Sequence, residues 1–117
     1  MACNAEYETL VATATILTNA TPQAELVAVT GAIRDRMDAL AVCVAGHAAA
    51  FPADGDSALR VQTAQVQIRA VADDAVRLAA NQIPAGDRII TEGPATVFTT
   101  NVQHAVNSLQ AAWFAGD

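Results

Sequence analysis

Apolar residues recur at alternating steps of three and four through most of this chain, the spacing that keeps one face of an α-helix apolar. The longest stripe is Leu26, Val29, Ile33, Met37, Leu40, Val44, His47 and Phe51. The most regular is Val61, Ala64, Ile68, Val71, Ala75, Leu78 and Gln82. Shorter stripes flank them, Tyr7, Leu10, Ala14 and Leu17 on one side and Phe98, Val102, Ala105, Leu109 and Ala112 on the other. Four helices follow from this pattern.

Their ends are marked by punctuation. Asn4 is a candidate N-cap for a first helix over Ala5–Thr18, with Glu6 and Glu8 offsetting the helix dipole. Thr21 followed by Pro22 predicts the second start, with Pro22 at the first helical position. Phe51-Pro52 ends that helix, because proline pushes the preceding residue out of the α region. Gly31 and Gly46 inside it suggest a close helix crossing, since each costs about 1 kcal/mol against alanine. Asp56 or Ser57 caps the third helix, which stops at Ile83-Pro84. An irregular stretch from Arg88 to Gly93 leads to Pro94, which opens the fourth.

The second and third helices come out roughly 40 Å long and the first roughly 20 Å. Short connections favour antiparallel neighbours. The expected fold is all-α: a single domain over residues 1–117, an antiparallel four-helix bundle with a short first helix and two long central helices. Part of the long pair is then left uncovered, and a second subunit could cover it.

Composition sharpens that point. Hydrophobic residues make up 53% of the 117 and charged ones 15%, with no lysine, where soluble domains average about 25% charged. Alanine dominates and aromatics are 4%, so helices must approach closely to gain dispersion contacts. The net charge is −6 and the six arginines are scattered, which argues against nucleic acid and anionic membranes as partners. No apolar run reaches the roughly 18 residues of a membrane span. The N-terminal residues show no Sec signal pattern. Expected localisation is therefore cytoplasmic, virion-associated or by a non-Sec export route.

Candidate chemistry is sparse. No glutamate is followed by histidine at the third position, so the ferritin-like di-iron pattern is absent. Cys3 and Cys43 do not form a zinc spacing and read as free thiols, with an intermolecular bridge through Cys3 as the alternative. Cys43 and His47 sit one turn apart and could hold half a metal site, but no second pair completes it. His47 lacks the following lysine of a histidine phosphotransfer domain. The Ala32–Leu40 stretch resembles the first helix of an all-helical chorismate mutase, whose ligand contacts include a lysine missing from this chain; Arg34 and Asp38 read instead as an i,i+4 pair. Arg69, Asp73 and Arg77 form a similar ladder.

No metal, cofactor or catalytic residue is therefore expected. The chain reads as a non-enzymatic self-association or assembly protein working through low-charge, alanine-rich helix faces, with a homo-oligomer or another protein as partner. Trp113, Phe114 and Cys3 are the interface candidates, Trp being frequent in binding hot spots; the alternative for Trp113 and Phe114 is a plug that closes the end of the bundle. The alternative is a small-ligand-binding bundle or small enzyme with a pocket lined by Met37, Cys43, His47 and His104.

Overall fold

The computed structural model describes residues 2–52, 54–80 and 94–115. Gln82, the stop at Ile83-Pro84 and the expected irregular stretch 88–93 lie outside the described residues, as does the side chain of Phe114. Among the described residues four α-helices form an all-α bundle: α1 (Asn4–Ala14), α2 (Leu26–Gly46), α3 (Asp56–Ala79) and α4 (Pro94–Ala115), with a 3-10 turn at Gln23–Glu25 before α2. Consecutive helices pack side by side, and α1 touches α4 more lightly. There is no strand among the described residues.

The run is antiparallel throughout, and cross-helix pairs at one end show it. Cys3 before α1 meets Cys43 near the end of α2. Ser57 at the start of α3 donates to the Ala112 carbonyl near the end of α4, and Arg60 reaches Ser108 one turn further in. Asn4 at the start of α1 accepts from Trp113 of α4. These contacts gather at one end, here called the closed end.

The core follows the stripes. Tyr7, Leu10, Leu26, Ile33, Met37, Leu40, Val44, Phe51, Ile68, Phe98, Leu109 and Trp113 are all buried in one cluster. Alanines at 58, 64, 75 and 105 line the same interior, where their small side chains let α3 approach its neighbours. Thr30 is also buried, with its hydroxyl donating to the Leu26 carbonyl one turn back at 2.6 Å. That bond satisfies a polar group which burial would otherwise penalise.

Helix ends depart from expectation, each for a local reason. Cys3, not Asn4, stands at the N-cap of α1, in the left-handed region at φ 66. The Asn4 side chain is committed to Trp113. α1 ends at Ala14, four residues early, where the Thr15 hydroxyl turns back to bond the Ala12 carbonyl; Leu17 still returns to the core. Thr21 closes a turn with Thr18 instead of capping α2, whose start moves to Leu26. α2 ends at Gly46, and Phe51 reaches the core through a turn in which Ala50 and Phe51 both donate to the His47 carbonyl. Gly55, not Asp56 or Ser57, precedes α3 as its cap.

Neither glycine of α2 marks a close crossing. A β-carbon at Gly46 would meet nothing within 4 Å, and one at Gly31 would meet only the Arg34 guanidinium at 3.8 Å. Gly46 instead sits where the helix stops, a place that tolerates glycine's low propensity.

The ion pairs are rearranged as well. Arg34 pairs with Asp35 and Arg77 with Asp74, so neither expected i,i+4 ladder forms as drawn. Asp38 crosses to α3, where Arg69 grips both carboxylate oxygens at 3.0 and 3.1 Å and the Gln65 amide adds a third bond at 3.0 Å. A two-pronged guanidinium–carboxylate contact is geometrically better than a single-pronged pair along one helix. Burial works to raise the Asp38 pKa, but the Arg69 and Gln65 hydrogen bonds, with the charges of Arg69 and Arg34, together hold it below the ordinary aspartate value.

A depressed folded-state pKa means that this stabilisation is present above the unfolded aspartate value, about 3.9, and is lost as pH falls through the folded one. Asp38→Asn should therefore be less stable than the native chain at neutral pH. The gap should close as denaturation is repeated below about pH 4. A gap independent of pH would mean that Asp38 acts by packing alone.

Candidate functional site

Two places in the bundle combine shape with chemistry, one at the closed end and one along the α1–α4 seam. At the closed end Cys3 and Cys43 form a disulfide with their α-carbons 5.9 Å apart, linking positions 40 residues apart in sequence. This corrects the expectation of free thiols and of an intermolecular bridge through Cys3. The cause is topological: antiparallel α1 and α2 put the start of one beside the end of the other.

His47 follows α2 directly and lies against this bond. Its Nδ1 is 3.8 Å from the Cys3 sulfur and 3.7 Å from the Cys43 sulfur. The same nitrogen sits 2.9 Å from the Cys43 carbonyl, a bond in which Nδ1–H donates and so occupies one of the carbonyl groups left open at the helix end. His47 is exposed, which corrects its placement on the buried stripe. The spacing of Cys43 and His47 showed half of this cluster; Cys3 joins it only through the fold.

Trp113 lies a few residues away in space and is 1% exposed. Its ring stacks on Tyr7 with centroids 4.8 Å apart and on Phe51 at 5.4 Å. Its Nε1 donates to Asn4 Oδ1 at 2.9 Å. The indole is thus fully engaged within the chain. Burial beside it raises the Tyr7 pKa.

The remaining pocket candidates do not converge with Cys43 and His47. Met37 is 0% exposed, in the middle of the core. His104 lies on the outer face of α4, beside a shallow depression shared with Gln67, Asp74 and Asn101.

The seam between α1 and α4 is open. Because α1 stops at Ala14, a groove of about 470 Å³ runs between its end and α4, lined by Val11, Leu17, Asn19, Thr99, Gln103, Val106 and Asn107 among others. A second depression of about 360 Å³ continues it toward Tyr7, Gln110 and Trp113. The lining of the larger groove includes no ionisable residue. The helix forming one wall, α4, has no Asp, Glu, Lys or Arg in its 22 residues. Its exposed positions carry Thr100, Asn101, Gln103, His104, Asn107 and Gln110. The sequence stripe showed which side of α4 is buried but gave no sign of the groove, which depends on where α1 ends.

Comparison with protein-family models, curated proteins and solved structures yields no match to this chain. No helix among the described residues is long and apolar enough to cross a membrane.

Proposed function

We propose that this protein is a non-enzymatic helical assembly component whose copies associate along the α1–α4 side. The observation that carries the reading is the charge-free groove wall. Copies of a chain with net charge −6 repel one another, and a two-fold contact sets each patch against itself. The face with least charge is where that repulsion costs least. α2 and α3 carry most of the described charge in balanced numbers, two arginines with two aspartates and three with three, and Glu8 of α1 borders the smaller depression; α4 carries none and offers amides and hydroxyls beside Val106 and the buried Leu17.

Gln103→Glu with Asn107→Asp tests it, since both are near-isosteric and both positions are exposed in the groove. Light scattering during size-exclusion chromatography, over a concentration series, should show an oligomer for the native chain. The double variant should dissociate about tenfold more readily or worse. Equal charge added on α3, through Gln62→Glu and Ala70→Glu, should have a much smaller effect. A native chain that stays monomeric at the highest concentration sinks the reading.

A second reading is favoured by one atom. Thr99 Oγ1 is buried and has no hydrogen-bond partner among the described residues, and it lines the same groove. Unpaired buried hydroxyls are uncommon, and a small neutral ligand could supply the missing bond. A monomer carrying such a molecule in its native mass spectrum would move the weight to this reading.

A further inference from the structure

The closed end holds a ligand set that the disulfide conceals. One donor atom each from Cys3, Cys43 and His47 lies within 4.8 Å of the others. Cys43 and His47 are held on one side of the α2 terminus by their spacing of four. Cys3 is held against them at the N-cap of α1, anchored by the next residue's bond to Trp113. Zinc–sulfur and zinc–nitrogen bonds of about 2.3 and 2.05 Å place tetrahedral ligand atoms roughly 3.6 Å apart for S and N and 3.8 Å for S and S. The observed sulfur–Nδ1 separations of 3.8 and 3.7 Å already match the first of these. The two sulfurs have to part, and Nδ1 has to leave the Cys43 carbonyl.

We propose that reduction of the Cys3–Cys43 bond opens a two-cysteine, one-histidine site for a thiophilic divalent cation, zinc foremost, at the closed end of the bundle. The reductant is a dithiol, or a phosphine, which takes oxygen from water, leaves as its oxide and likewise yields two protein thiols. A dithiol delivers two electrons to the disulfide, leaves as its own disulfide, and yields two protein thiols. The cation then displaces both thiol protons to solvent. His47 ligates through Nδ1, its ring proton moving to Nε2, and gives up the bond to the Cys43 carbonyl. Two thiolates and a neutral imidazole cancel the cation's charge, which suits a partly buried place. Thiolate ligands select zinc over calcium or magnesium. The exposed side of His47 leaves the fourth position to water.

Cobalt(II) is the probe. The full chain is reduced with a phosphine, freed of excess reductant without air, and titrated. The reduced chain should take up one equivalent, with thiolate-to-cobalt charge-transfer absorption and the visible bands of tetrahedral cobalt, and zinc should displace it. The oxidised chain should show neither signal. Cys43→Ser and His47→Ala should each weaken uptake by tenfold or more, with helical circular dichroism matching that of the reduced native chain. Cys3→Ala with Cys43→Ala is the control that can form neither the disulfide nor the site. A reduced, folded chain without the thiolate band overturns the proposal, as does undiminished binding by His47→Ala. If reduction melts the helices, recovery of helicity on adding metal supports it, and failure to recover overturns it.

Discussion

Trp113→Ala should destabilise the fold by about 4 kcal/mol, the cost of emptying a large aromatic site in a packed core. The indole is 1% exposed, stacks on Tyr7 from α1 and packs on Phe51 from the turn after α2. Alanine there removes both aromatic contacts and leaves Asn4 without its donor. A domain of this size has only about 5–15 kcal/mol of total stability, so the variant should sit near the edge of folding. Urea denaturation followed by far-ultraviolet circular dichroism measures the loss. Asn4→Ala, which leaves the ring in place, should cost only about 1–3 kcal/mol, as expected for one unsatisfied buried donor. If Trp113→Ala stays within about 1 kcal/mol of the native chain, the indole does not hold the closed end together.

Loss of the Cys3–Cys43 bond should be comparably severe. Chain entropy for a closed loop spanning 40 residues corresponds to about 4 kcal/mol in the unfolded-state model of disulfide stabilisation. Its local consequence is more specific. α1 has 11 residues, below the roughly 12–15 at which an isolated helix becomes even marginal in water. It stays helical because the disulfide, Tyr7 and Leu10 hold it to the rest. Cys3→Ala with Cys43→Ala should therefore lower the urea midpoint, and hydrogen exchange should find α1 unprotected before α2, α3 or α4. Equal midpoints, or uniform loss of protection, would refute this. The two losses should not add simply, because Trp113 and the disulfide hold the same end of α1.

How legible the molecule was depends on the range of the interaction concerned. The stripes at Leu26 to Val44, Val61 to Leu78 and Phe98 to Ala112 marked the buried faces correctly, since burial repeats with the helical period whatever the partner is. Capping was less legible. Asn4 has the right side chain for an N-cap, yet a donor 109 residues away claims it. Asp38 has an arginine four residues before it, yet Arg69 on the next helix offers two prongs instead of one. His47 fits the apolar register, but the helix ends one residue before it and the ring turns to the Cys43 carbonyl. For Asn4 and Asp38 a local rule proposed a partner and a distant residue supplied a better one; for His47 the helix end itself changed the register.

By itself, then, the sequence determined the helical class, the four helices of the described residues, the side of each that is buried and the scarcity of charge. Those properties come from residue type and from periods of three and four, which operate within a turn or two. Tertiary structure alone decided that Cys3 meets Cys43 and His47, that Trp113 closes one end of the bundle, and that a charge-free groove opens where α1 stops short of α4. These depend on which helix ends come together, and no local period encodes that. The low charge that marks this chain, down to its complete absence from α4, is a property of its sequence; the groove that α4 forms with the end of α1 is a property of its fold.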